Sequence, residues 1–121
     1  MQHIILLGDS VFNNSAYAGE EADFSEQLRA HLPRPSMVTT CAEEGSLTLD
    51  VISQLEKIPT SATHLVVSVG GNDARRHLSF LGSTANSTAE VLTKLADYAD
   101  QFRRDYCTMV AAARSKELPL A

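Results

Sequence analysis

The chain has no tryptophan and only two cysteines among its 121 residues. Cys41 and Cys107 stand far apart, which excludes a disulfide framework and a cysteine metal cluster, and makes a reducing compartment the default. No basic run is present. Lysine and arginine occur as scattered pairs, Arg75-Arg76 and Arg103-Arg104, that read as solvated helix faces, and the net charge is −5. That balance argues against a nucleic-acid surface or an anionic membrane as partner. No stretch approaches the roughly 18 apolar residues of a membrane span. The apolar run at Ile4 starts too early, and is too short, for a signal-peptide core. A cytoplasmic location is therefore expected. A phosphate-cradling Gly-x-x-x-x-Gly-Lys sequence is lacking, so nucleotide hydrolysis has no support. Internal repeats, low-complexity tracts and linkers are lacking too, and residues 1–121 read as a single domain.

What is present is organised around Ile4-Ile5-Leu6-Leu7-Gly8-Asp9-Ser10. A short unbroken apolar run closed by a turn signal reads as a strand buried on both faces, the usual state in a parallel sheet. Ligands of open α/β sheets collect beyond the carboxyl ends of the strands. Gly8 lets the chain turn there, Asp9 helps to fix the turn, and Ser10 is left at the mouth with a free hydroxyl. The tripeptide by itself is also ordinary turn chemistry.

The rest of the chain alternates helix and strand. Residues 11–19 read as a loop over that mouth. Asp23 and Glu26 have the spacing of a helix start, Phe24, Leu28 and Leu32 share a face, and Pro33 with Pro35 ends the helix. Residues 37–42 form a second strand rich in β-branched residues, and Glu43-Glu44-Gly45-Ser46 turns out of it. A helix over about 47–58 buries Leu47, Val51, Leu55 and Ile58. The third strand is 64–69, followed by the turn Gly70-Gly71-Asn72-Asp73. Residues 74–86 read as loop. Ser87 and Glu90 then box the start of the longest helix, whose stripe of Leu92, Leu95, Ala99, Phe102, Tyr106, Met109, Val110 and Ala113 runs to about Ser115. Leu118–Ala121 reads as the entry to a fourth strand. This order predicts right-handed crossovers and a parallel α/β sheet.

Three turns then share one rim, and the chemistry they suggest is acyl transfer. A serine hydroxyl attacks a carbonyl, and donors must already be aimed at the oxygen on which charge builds. The Ser10 N–H, the unobstructed Gly45 N–H and the Asn72 amide supply three, each worth about 3 kcal/mol of transition-state stabilisation.

These residues resemble the SGNH (GDSL-type) hydrolases, a family of esterases and lipases. Gly8-Asp9-Ser10 after the first strand matches that family's first block, Gly45 the second, and Gly70-Gly71-Asn72-Asp73 the third. The resemblance spans about residues 3 to 120. It implies a three-layer α/β/α flavodoxin-like fold, with Ser10 as nucleophile, Gly45 and Asn72 as oxyanion donors, and no metal or organic cofactor. The family's last block, Asp-x-x-His, has no counterpart, and the domain reads as incomplete at its C-terminal strands. His3 and His64 start their strands, about 15 to 20 Å from the rim by strand rise, and His31 ends a helix running back to that far edge. Only His77 lies on the correct side.

The expected activity is hydrolysis of a small acyl ester through Ser10. One alternative is a weak or inactive fragment of that scaffold. Another is a receiver-type phosphoacceptor module, for which Asp73 would serve but Asp9 stands alone. An apolar strand left at a sheet edge further suggests a homo-oligomer, through that edge or the 118–121 tail.

Overall fold

The computed structural model describes all residues, Met1–Ala121. Its elements in order are β1 (Gln2–Gly8), α1 (Ser15–Ala18), α2 (Phe24–His31), β2 (Ser36–Thr40), α3 (Asp50–Leu55), β3 (His64–Ser68), α4 (Gly71–Arg75), a 3₁₀ segment (Leu78–Gly82) and α5 (Thr88–Arg114). The sheet is parallel with order β2-β1-β3, so β1 is central. Its register sets Ile4 beside both Val38 and His64. Leu120 bridges Leu65 in parallel, so the 118–121 tail lies along β3 as the expected start of a fourth strand.

The apolar run of β1 splits by the two-residue period of a strand. Ile5 and Leu7 face one side, where Val51, Leu55, Leu65, Met109 and Ala113 close a core under α3 and α5. Leu6 faces the other, with Val38, Ala42 and Phe12, covered by Phe24 and Leu28 of α2 and by Leu32 just after it. Helices on both faces make a three-layer α/β/α domain, and Ile5, Leu6 and Leu7 are fully buried within it.

Local signals hold at the start of α2. Asp23 accepts from the Glu26 N–H at 3.0 Å, and Glu26 accepts from the Asp23 N–H at 3.1 Å, a complete capping box. At α5 the box is half made. Ser87 caps the Glu90 N–H, but the Glu90 carboxylate takes the Asn86 N–H, one residue earlier than expected. These bonds hold both carboxyls, Asp23 and Glu90, below the usual carboxylate range.

Three expectations are corrected. β2 ends at Thr40 because the Cys41 and Ala42 N–H groups both converge on the Leu6 carbonyl, at 2.8 and 3.0 Å, which stops the ladder. α3 is shorter than 47–58, since three-residue bonds tighten its ends: Val51 N–H to Thr48, and Lys57 N–H to Gln54. Residues 74–86 are not simple loop. α4 and the 3₁₀ segment occupy much of that span, held by His77 and Phe80 packed on Tyr98. The period expected of α5 holds, and along its stripe only Met109 and Ala113 are buried, while Leu92 is 61% and Leu95 45% exposed. The reason is length. A helix of 27 residues runs for about 40 Å, roughly twice the length of strands this short. The N-terminal half of α5 therefore overhangs the sheet at the rim.

Candidate active site

Gly8 ends β1 because nothing larger fits. Its φ is +124°, and a Cβ there would lie 1.8 Å from the Ser68 carbonyl oxygen of β3. The next residue donates its N–H to that same oxygen at 3.1 Å. Asp9 is buried, and its carboxylate accepts the Val11 N–H at 3.0 Å. Its carbonyl accepts from Phe12 and Asn13 at 3.2 and 3.1 Å. The turn is thus closed around Ser10, which sits half-exposed on its outside. The backbone N–H of Ser10 donates to nothing in the chain, and the side-chain bonds of the turn, from Gln54, Asp9 and Asn13, leave its hydroxyl free.

Gly45 follows β2 with φ +78°, and no atom lies within 4 Å of where its Cβ would be. That conformation suits glycine, and the bare, exposed N–H it presents also donates to nothing in the chain. Ser46 beside it is buried, and its carbonyl accepts from Asn72 Nδ2 at 3.1 Å. An amide nitrogen carries two hydrogens, so Asn72 keeps a second N–H. Its neighbour Asp73 is buried, and Oδ2 accepts both the Thr48 N–H at 2.8 Å and the Thr48 hydroxyl at 2.9 Å.

Two residues that hold these loops together are not singled out by motif: Thr48 and Gln54. Gln54 is 2% exposed and bonds Gly8 and Ser46 at once. A signal for it does exist, since it falls three residues after Val51 and beside Leu55, a polar amide in an apolar stripe. Asn13 adds a further tie, donating from Nδ2 to the Ala42 carbonyl at 2.8 Å. Above the rim, the Tyr17 hydroxyl donates to the Glu44 carboxylate, linking the 11–22 loop to the Gly45 turn. That carboxylate pushes the Tyr17 phenol above its usual range.

The histidines divide as their positions suggest. His3 is buried at the far end of β1, with Nδ1 2.8 Å from Ser61 Oγ and Nε2 2.7 Å from Thr39 Oγ1. His64 Nδ1 meets Thr63, and His31 Nδ1 meets the Gln27 carbonyl. His77 is on the rim side, but its ring stacks on Tyr98 with centroids 3.9 Å apart. It lines an apolar cleft of about 300 Å³ between α4 and α5, together with Gly70, Asp73, Leu95 and Phe102. No group of histidine, cysteine and acidic side chains is arranged to hold a metal ion. Nor is any helix long and apolar enough to cross a membrane.

An open parallel α/β sheet with its polar, glycine-bearing turns gathered at the carboxyl edge defines the class of the molecule. No family model and no curated protein matches the sequence. Among solved structures the chain is similar to AlinE4, an SGNH-hydrolase family esterase. The TM-score is 0.53 at 18% identity, over 99% of this chain and 75% of that one. It is likewise similar to the psychrotrophic esterase EstA of Pseudoalteromonas sp., in a structure inhibited by monoethylphosphonate. There the TM-score is 0.51 at 14% identity, over 100% of this chain and 76% of the other. The fold is therefore that of the SGNH-hydrolase esterases, and this chain spans about three quarters of their length.

Proposed function

We propose that the chain is a serine ester hydrolase acting by acyl transfer through Ser10. The observation that supports this reading is a free hydroxyl and three unpaired donors on the turns at the carboxyl edge of the sheet. The Ser10 N–H, the Gly45 N–H and one N–H of Asn72 have no partner in the chain, while the loops that bear them are hydrogen-bonded to one another. Polar groups left open at a rigid rim are what an oxyanion hole requires.

In the proposed reaction Ser10 Oγ bonds to the acyl carbon and the carbonyl π pair moves onto oxygen, where the three donors meet the charge. The pair returns as the alkoxide leaves and takes up a proton. Water then attacks the acyl-serine and releases the acid. No hydrogen bond within these residues, including those nearby from Gln54, Asp9 and Asn13, reaches Ser10 Oγ; in the proposed step its proton passes to solvent, and the neutral hydroxyl is a weak nucleophile. A serine site without triad partners retains about 10³ to 10⁴ over water from the oxyanion hole and binding. This observation favours a second reading, in which Ser10 is acylated but turns over slowly or not at all. A small acyl ester is the proposed substrate class in both.

The test is reaction with an activated short-chain ester and with a fluorophosphonate, beside Ser10→Ala and Asn72→Ala. EstA is a structural neighbour captured with a phosphonate, which motivates the second reagent. Labelling and turnover are expected to vanish in Ser10→Ala and to fall about 10²-fold in Asn72→Ala. Equal rates in wild type and Ser10→Ala would remove the catalytic reading. A stoichiometric burst without turnover would select the second.

A further inference from the structure

We propose that Gln54 is a positioning residue that sets the Ser10 turn against the Gly45 turn, an inference that rests on the reading of Ser10 as the nucleophile. Gln54 lies in α3 and is almost wholly buried, so it acts through the groups it bonds. Its Oε1 accepts the Gly8 N–H at 2.8 Å. Its Nε2 donates to the Gly8 carbonyl at 2.8 Å and to Ser46 Oγ at 3.1 Å. The side-chain amide therefore meets Gly8 as a neighbouring peptide group would, through a paired donor and acceptor. Both of its N–H groups and its oxygen are engaged, which leaves it little freedom to rotate.

The three bonds fall at consequential points. Gly8 is two residues before Ser10, and Ser46 directly follows Gly45. Ser46 in turn accepts from Asn72 through its carbonyl. Thus Gly8, Gln54, Ser46 and Asn72 form a continuous hydrogen-bonded frame that joins the three donors. Oxyanion donors act only when fixed before the charge appears. The separation of the Ser10 and Gly45 N–H groups depends on how the two turns are tied. One direct backbone tie exists besides Gln54, from the Glu43 N–H to the Gly8 carbonyl at 3.1 Å. That bond fixes the root of the second turn. Gln54 reaches its far side, at Ser46.

The full chain is tested with Gln54→Met, which keeps the length and apolar packing of the side chain but none of its bonds. The fluorophosphonate labelling rate at Ser10 is measured per folded molecule. It is expected to fall by about tenfold to a hundredfold, the cost of a small misplacement. With an activated acetate ester the acylation rate should fall by the same factor at unchanged KM. Amide hydrogen exchange is read alongside. Segments 8–13 and 43–48 should exchange faster together, while 2–6 and 100–114 stay as in wild type. An unchanged labelling rate per folded molecule would overturn the proposal. So would slower labelling with exchange raised throughout, which marks a residue that only stabilises the core. A wild-type chain inert to the reagent would overturn the Ser10 reading instead. The paired exchange response would then decide by itself whether Gln54 joins the two turns.

Discussion

The two ends of β1 make opposite use of polar side chains. At the amino end His3 is 2% exposed, with both ring nitrogens bonded, to Ser61 and Thr39, and its N–H donated to Thr63 Oγ1. Every group there has a partner, as burial demands. At the carboxyl end Asp9, Gln54, Thr48 and Asp73 are equally buried and equally bonded, yet the residues they support are left open. Ser10, Gly45 and Asn72 are half-exposed or exposed and keep unpaired donors. The difference teaches where to look for chemistry. A closed polar knot stabilises the fold, whereas a closed layer carrying an open one can act on a ligand.

The largest effect is expected at Gly8. Gly8→Ala forces a carbon against the Ser68 carbonyl at 1.8 Å and a side chain into positive φ. Overpacking and strained backbone each cost about 1–3 kcal/mol, so denaturant unfolding should show a loss of about 3 kcal/mol or more. Ser10 reactivity should be lost with it, because β3 must move. A fully stable Gly8→Ala would show that the close approach of β3 is not needed.

His3→Leu sharpens the contrast from the other end. It removes both ring bonds and leaves two hydroxyls to find other partners, costing about 1–3 kcal/mol of stability by denaturant titration. The labelling rate of Ser10 per folded molecule should not change. A fall in that rate would mean that the two ends of the strand are coupled, and that the division drawn above fails.

The smallest effect is at the surface, at the start of α2. Asp23→Ala removes the capping box and should cost about 1 kcal/mol. The folded state holds the Asp23 carboxyl below its usual range, through the Glu26 N–H first and the Ser25 hydroxyl next. A group whose proton affinity falls on folding contributes stability above its unfolded pKa and loses it as pH falls through the folded one. The difference between wild type and Asp23→Ala should therefore be constant near neutrality and shrink below about pH 4. A difference independent of pH across that range would assign the effect to helix propensity rather than to the charged cap.

Much was legible in the residues because local rules and the fold agree. The run Ile4–Leu7, the β-branched second strand and Asp23 with Glu26 give elements in their correct places, and alternation then gives a parallel sheet. Gly8-Asp9-Ser10, Gly45 and Asn72 were visible as turns at strand ends. Less legible were features that only packing creates. Nothing local marks 74–86 as helical turns, since Tyr98 far along the chain supplies the surface that orders them. The period of α5 marks its apolar face, but how much of that face is covered depends on what lies beneath it, which a helix pattern does not say.

Residue pattern alone was enough for the order of the three strands and the three longer helices, and for the residue types set at the carboxyl edge. These follow from side-chain period and turn chemistry, which act over a few residues. Only the tertiary structure decided that Gln54 joins Gly8 to Ser46, that Asp73 is taken up by Thr48, and that His3 closes the far end. The bonds from Thr48 to Asp73, Gln54 to Gly8 and His3 to Ser61 span 25, 46 and 58 positions of chain, and a hydrogen bond at such a separation depends on the register of the sheet rather than on any neighbour in sequence.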